Sequence, residues 1–293
     1  MVSDPLQAID NLLEKVGRAE NVIPVSVTGL PGDMATKAAE GIASQKDMRL
    51  IEYALTGPDQ PKKVTISDIG IELFEPERHE LYLPLMKKKY PDLVIADFSK
   101  GKMEELGALY IEHEIPFVFG GTNGDKAKLT EMVKKSNISA LIAPNMSLEL
   151  NLFPGSYLQQ LATEFPGIFR GYKAKIIESH QEKKTDVSGT ARNWKVYMEE
   201  LGMEVTIESI RKPYDQLQLG VSEKNLGGHA YHLVEVYSPD GSVRFGWHTK
   251  VDGRETYKQG TPDTVRFVYE KNRQGSRGEI FSRMDSIRWA VKR

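Results

Sequence analysis

Three apolar runs, Leu93-Val94-Ile95-Ala96-Asp97-Phe98, Phe117-Val118-Phe119-Gly120-Gly121-Thr122 and Ala140-Leu141-Ile142-Ala143-Pro144-Asn145, alternate with helical patterns over Lys102 to Glu114 and Asp125 to Ser136. Strands without a polar face are buried on both sides, so helices must cover both faces of a parallel sheet. Each run ends in small or polar residues at its carboxyl end, where open α/β sheets bind ligands. The ends are Asp97-Phe98-Ser99, Gly121-Thr122-Asn123-Gly124 and Ala143-Pro144-Asn145-Met146-Ser147. Ordinary turn chemistry satisfies any one of them; together they point to one ligand crevice.

The preceding segment fits the same scheme. Val25 to Thr28 is a short strand, followed by Gly29-Leu30-Pro31-Gly32-Asp33-Met34 and a helical pattern through Ile42. Strand, glycine turn and helix make the first unit of a dinucleotide fold, in which helix-start N–H groups meet a pyrophosphate. Pro31 stands where the middle glycine of G-x-G-x-x-G belongs, so a plain βα turn fits equally well. The second strand, Arg49 to Leu55, runs into Thr56-Gly57 with no acid until Asp59 to hold a ribose 2′-hydroxyl. That leaves room for a 2′-phosphate, within reach of Lys62 or Lys63, and favours NADPH, with NADH possible. Lys63 to Ser67 and Ile69 to Phe74 read as a hairpin. Pro76 to Tyr90 reads as a helix that Pro84 interrupts.

After a helix over Leu148 to Phe165, bent at Pro154-Gly155, the pattern turns strand-rich. Strands are expected over Lys173 to Ser179, Met203 to Arg211, His229 to Tyr237, Val243 to Val251 and Thr264 to Tyr269, with a hairpin turn at Ser238-Pro239-Asp240-Gly241. The architecture is thus α/β: a Rossmann-like doubly wound parallel sheet, then an α+β domain on an open, mostly antiparallel sheet. Residues 1–146 are expected to form a dinucleotide-binding domain and 147–269 a second domain. His229 and His232 face opposite sides of a strand and cannot grip one metal ion, so packing roles are expected. Trp247, Tyr237 and Phe245 read as sheet packing, and His79 and His113 as solvent-facing.

The chemistry concentrates in Ile176-Ile177-Glu178-Ser179-His180-Gln181-Glu182-Lys183-Lys184-Thr185-Asp186-Val187-Ser188-Gly189-Thr190-Ala191. Strand alternation puts Ile176, Glu178 and His180 on one face, and Lys184 follows on a loop able to curl back. Ser188 is a good N-cap, and the N–H groups of Gly189 and Thr190 make the helix start an anion site. The segment offers a proton carrier, a cation and a carboxylate cradle. A strand–loop–helix connection with a solvated charge run is the plainer reading.

Glu-Ser-His-Gln-x-x-Lys-x-Asp-x-Ser-Gly-Thr-Ala resembles the substrate motif of the dihydrodipicolinate reductase family, in its plant-type branch. The resemblance extends from about residue 23 through most of the chain. Gly29, Gly32 and Met34 match a G-x-x-G-x-M turn, and Asp97-Phe98-Ser99, Gly121-Thr122-Asn123-Gly124 and Ala143-Pro144-Asn145-Met146-Ser147 match further elements. Gly228-His229-Ala230-Tyr231-His232 and Gly253-Arg254-x-x-Tyr257-x-x-Gly260-Thr261 resemble that branch's sheet. Asp33 stands where the family has a basic or neutral residue, Asn123 where threonine is commoner, and Gln181 where the bacterial branch has histidine.

The resemblance implies NAD(P)H-dependent reduction of 4-hydroxy-tetrahydrodipicolinate, with loss of water, in lysine biosynthesis. It implies His180 and Lys184 as catalytic residues and Ser188, Gly189, Thr190, Lys184 and Asn145 as substrate-binding. The cofactor would meet Gly29, Pro31, Gly32, Asp33, Met34, Thr56, Phe98, Gly121, Thr122, Ala143, Asn145 and Met146. It also implies that 147–269 is the substrate-binding and oligomerisation domain, that the C-terminal helix, 270–293, completes the cofactor domain, and that the chain forms a homodimer, with a homotetramer as alternative. Two other functions are consistent with the residues: an NAD(P)-dependent oxidoreductase of another small keto or imino acid, and a non-catalytic dinucleotide sensor.

Composition narrows the remainder. A net charge of −2 over 293 residues gives no handle for nucleic acid or a membrane surface. There is no cysteine, hence no disulfide, zinc thiolate or thioester chemistry. Met1 to Glu20 is acidic and lacks the apolar core of a signal peptide or the charge of a transit peptide. Its Leu6, Ile9, Leu13 and Val16 suggest an extra amphipathic helix. The expected location is the cytoplasm, or a plastid stroma if a leader has been removed.

Overall fold

In a computed structural model, residues 22–292 are described; the helix expected over Met1 to Glu20 lies outside them. In chain order the strands are β1 (Ile23–Thr28), β2 (Met48–Leu50), β3 (Tyr53–Leu55), β4 (Lys63–Ile66), β5 (Ile69–Phe74), β6 (Val94–Asp97), β7 (Phe117–Phe119), β8 (Ala140–Ile142), β9 (Lys173–His180), β10 (Glu204–Ile210), β11 (His229–Tyr237), β12 (Arg244–Asp252) and β13 (Ile280–Phe281). The chain divides into two compact units. One comprises the described residues to Leu141 with Thr264–Ile280, the other Ile142–Asp263 with the residues from Phe281. Residues after Phe281, expected with the cofactor domain, thus group with the second unit.

In the first unit the sheet order is β13-β8-β7-β6-β1-β2. β1 pairs in parallel with both β2 and β6, and β6 with β7. Val25, Val27, Val94, Ile95, Phe117, Val118 and Leu141 are completely buried, as strands covered on both faces require. The strand order reverses between β1 and β6, so the turns after Thr28 and Asp97 flank the topological switch point, where such sheets bind ligands.

Four local expectations change. Arg49 to Leu55 is not one strand: Ile51 N still donates to Val25 O (3.0 Å), but Glu72 N donates to Glu52 O (2.8 Å), and the chain peels into the small sheet β3-β5-β4. The helix His79–Lys89 runs through Pro84 unbroken; buried Leu83 and Met86 hold it on either side of the lost hydrogen bond. His79 is buried rather than solvent-facing. Thr264 to Tyr269 belongs to the helix Glu255–Arg273. Its β-branched residues imitate a strand, but the fully buried positions, Thr261, Thr264, Val265 and Val268, have helical spacing.

In the second unit the sheet order is β10-β9-β11-β12, with β10 parallel to β9 and the other pairs antiparallel. The Gly189–Glu200 helix is the crossover between the parallel strands. It buries Ala191, Trp194 and Met198 against Ile176, Val205, Val234 and Val236. Trp247 packs against the same core, its ring edge-on to Trp194. Leu148 to Phe165 is broken at Phe153, whose extended backbone (φ −137°, ψ 122°) precedes Pro154 and the helix Tyr157–Glu164. Among the described residues no helix is long and apolar enough to cross a membrane.

Candidate active site

In the second unit, β9 ends in Glu178-Ser179-His180, with Glu178 and His180 on one face as the alternation requires. Glu178 is wholly buried, and its Oε2 accepts from His180 Nδ1 at 2.6 Å. The same carboxylate takes Arg211 Nη2 at 2.5 Å, Arg211 Nη1 at 3.1 Å, Ser209 Oγ at 2.5 Å and, more distantly, Ser188 N at 3.4 Å. Burial alone would raise its pKa, but the hydrogen bonds from His180, Arg211 and Ser209 outweigh burial and hold it well below the usual carboxylate range. Gln216 Nε2 donates to His180 O at 2.6 Å and fixes the strand end.

The loop turns at once, with Lys184 N donating to Gln181 O at 2.9 Å. Arg211 Nε donates to Lys184 O (3.0 Å) and Nη2 to Asp186 O (3.1 Å), fastening the loop to β9. The Lys184 ammonium, 18 % exposed, rests on Asp186 Oδ1 at 2.6 Å. Burial opposes ionisation of Asp186, but Lys184 beside it lowers its pKa overall.

Ser188 caps the following helix, its Oγ accepting from Ala191 N at 3.4 Å. It is almost fully buried, and the hydroxyl also bonds His232 Nε2 at 2.9 Å. Burial, then the nearby His180, push the His232 imidazole down to about 3, so it is neutral. Gly189 and Thr190 are half-buried; an added Cβ on Gly189 would meet nothing within 4 Å. Their N–H groups are first-turn groups with no intrahelical acceptor. Asn145 Nδ2 donates to Thr190 Oγ1 at 3.3 Å, and both border a polar cavity of ≈110 Å³ floored by Trp194. This unit therefore joins His180, the Lys184 loop, Ser188, Gly189, Thr190 and Asn145 into one arrangement.

The sequence reading missed Arg211 and Ser209, expected only a structural or packing role for His232, and left Glu178 without a role. Glu178 was visible through its alternation with His180. Arg211 was not, because its approach depends on the parallel register that sets Ser209 opposite Glu178 and Ile210 opposite Ser179. His229 and His232 serve two serines: His229 Nε2 lies 2.8 Å from Ser179 Oγ, matching the Ser188–His232 pair.

In the first unit, the turn after β1 needs its glycine. Gly29 has φ +99°, and an added Cβ would stand 2.7 Å from Ser99 N. Gly29 N donates to Leu55 O at 3.1 Å, and Thr56 Oγ1 to Leu30 O at 2.5 Å. His79 Nε2 reaches Phe74 O (2.9 Å) and Thr56 O (3.1 Å); burial lowers its pKa, leaving a neutral donor that braces the turn from behind. Thr56 is thus buried support. Pro31, Gly32 and Asp33 are exposed, Met34 half-buried, and no side chain caps the helix Asp33–Ala43. A switch-point turn with an uncapped helix start fits a dinucleotide pyrophosphate, except for the Asp33 carboxylate in its first turn.

At the end of β6, Phe98 is half-buried, and its ring would lie 2.4 Å from a Cβ on Gly120. Gly121 packs on Phe119 in the same way, and Thr122 is exposed. Ala143, Asn145 and Met146 fall in the second unit. Ala143 and Met146 are buried there, with Met146 O accepting from Arg283 Nε at 3.2 Å.

Comparison with known proteins identifies the family. Residues 23–146 match the family described as dihydrodipicolinate reductase, N-terminus, and residues 156–282 its C-terminal counterpart. The chain is 33 % identical over 271 residues to the probable 4-hydroxy-tetrahydrodipicolinate reductase 1, chloroplastic, of Oryza sativa subsp. japonica, covering 90 % of this chain and 78 % of that one. It is 34 % identical over 275 residues to 4-hydroxy-tetrahydrodipicolinate reductase 1, chloroplastic, of Arabidopsis thaliana, covering 92 % and 78 %. The solved structure of dipicolinate-bound dihydrodipicolinate reductase from Paenisporosarcina sp. TG-14 shares the fold, with TM-score 0.60 and 17 % identity over 89 % of this chain and 97 % of that one. The chain belongs to the dihydrodipicolinate reductase family.

Proposed function

We propose that this protein is a 4-hydroxy-tetrahydrodipicolinate reductase, which removes the ring hydroxyl as water and reduces the conjugated imine to tetrahydrodipicolinate. The observation that carries this reading is the network of the second unit: one buried carboxylate touches His180 and, through Arg211, the Lys184 loop, beside a helix start open to an anion. The turn after β1 would hold a nicotinamide dinucleotide, which would supply the hydride. His180 donates the proton to the ring atom that gathers electron density. Lys184 leaves Asp186 for the anionic substrate and offsets its developing charge. Gly189 and Thr190 hold a carboxylate through backbone N–H groups, and Asn145 orients the Thr190 hydroxyl.

NADPH is the preferred reductant. Glu52, the acid nearest the end of the second Rossmann strand, is tied to Lys89 (2.6 Å) and Tyr90 (2.7 Å), while Lys62 and Lys63 are exposed. A homodimer is the proposed assembly, since among the described residues β12, like β10 at the opposite edge, has no partner strand on its outer side.

The test is oxidation of NADPH and of NADH with freshly prepared substrate, with pyridine-2,6-dicarboxylate as competitor. Faster turnover with NADPH and strong inhibition support the reading. Cofactor binding without turnover points to a sensor, and turnover of another keto acid with weak inhibition to a different oxidoreductase; either result would overturn it.

A further inference from the structure

Glu178 is wholly buried, and the Arg211 guanidinium spends all three of its nitrogens on acceptors within the protein. Glu178 has no exposure, and the Arg211 side chain is 18 % exposed. A buried ion pair adds little net stability, so its geometry matters more than its strength. We propose that Glu178 and Arg211 are positioning residues: one buried carboxylate sets both which nitrogen of His180 delivers the proton and where the loop carrying Lys184 runs. This inference rests on the reading of His180 as proton donor.

The argument for the imidazole is stoichiometric. An ionised carboxylate only accepts, so at 2.6 Å the Nδ1 of His180 carries hydrogen whether the ring is neutral or charged. Nε2 is then the nitrogen that gives up its proton and regains it. Imidazolium returns to the neutral Nδ1–H form after each transfer, with no ring flip. Unconstrained imidazole would divide between tautomers, and a ring carrying its proton on Nε2 alone presents a different donor–acceptor pattern at both ends.

The argument for the loop is geometric. The planar guanidinium spends two nitrogens on the Glu178 carboxylate and also donates to the carbonyls of Lys184, Asp186 and Ile210. Lysine offers a single nitrogen in place of this fork. Ser188 N completes the set from the other end of the loop, at 3.4 Å from Glu178 Oε1.

The test uses the full-length protein with histidine-labelled nitrogen resonances, the His180 signals being assigned by their loss in His180→Gln. In the unmutated protein, neutral His180 is expected as the Nδ1–H form; finding it as Nε2–H overturns the proposal without any variant having to fold. Glu178→Gln is expected to mix the tautomers and cut kcat at least about tenfold. Arg211→Lys is expected to keep the His180 tautomer and raise the substrate KM, leaving the cofactor KM unchanged. A Glu178→Gln protein with the original tautomer and the original kcat refutes the inference. Full turnover by His180→Gln would instead refute the catalytic reading, and the resonance measurement separates the two failures.

Discussion

Ser188 Oγ and His232 Nε2 lie 2.9 Å apart, both buried, and the same hydroxyl caps Ala191 N. The hydroxyl at the start of the Gly189–Glu200 helix is therefore spent inside the protein. On the proposed function, a substrate carboxylate is left to the backbone of Gly189 and Thr190, whose aim depends on the serine staying where His232 holds it.

Replacing His232 by leucine strands the Ser188 hydroxyl. The expected loss is about 1–3 kcal/mol of stability, together with a rise in substrate KM larger than the fall in kcat. Urea denaturation and steady-state kinetics measure the two, and an unchanged substrate KM would remove His232 from the site.

The same residue predicts a pH dependence of stability. His232 is held down to about 3 in the folded chain, so between roughly pH 6.5 and 3 the unfolded chain binds a proton that the native one does not. Stability falls as pH drops through that window, by up to about 1.4 kcal/mol per pH unit. Burial lowers His229 as well, in the same sense. The depressed Glu178 adds a further loss below its ordinary pKa of 4.5. Denaturation midpoints at neutral and mildly acidic pH check this, and His232→Asn should flatten the slope.

His180→Ala and Lys184→Ala should each lower turnover by about 10²–10³-fold, the usual range for losing a proton donor or a charge-stabilising group. Nucleotide affinity, read by quenching of bound-NADPH fluorescence, should stay near that of the unmutated protein. Full activity in either variant would dismiss its assigned role.

Asp33→Ser tests the one acid at the cofactor turn. Removing the carboxylate from the first turn should lower the NADPH KM several-fold, most at low ionic strength, with kcat unchanged. The helix Asp33–Ala43 loses a favourable macrodipole partner at the same time, for a stability cost of about 0.3–1 kcal/mol. Opposite signs for binding and stability distinguish this account from a general loosening of the turn.

Elements with a local signal were legible in the sequence. Leu93 to Phe98 and Phe117 to Thr122 carry no polar face and lie in the interior sheet. Glu178 and His180 share a face because strand alternation leaves no choice. Features set by another part of the chain were not legible. Arg211 reaches Glu178 through strand register, His232 reaches Ser188 across two neighbouring elements, and His79 is buried by the small sheet beside it. Thr264 to Tyr269 misled for a different reason: β-branched residues favour strands locally, while helical spacing of the buried positions decides the outcome.

The Gly189–Glu200 helix is a crossover inside the second sheet, entered from β9 and left towards β10. On the proposed function, donor, loop, anion mouth and fastening arginine thus come from a single uninterrupted piece of sequence, whereas the turn after β1 proposed for the nucleotide is encoded far upstream. Mutational drift that retunes the choice of reductant is free to proceed without touching the acid–base apparatus. Moved between relatives, that piece would need its β11 partner as well, because His232 holds Ser188 in place.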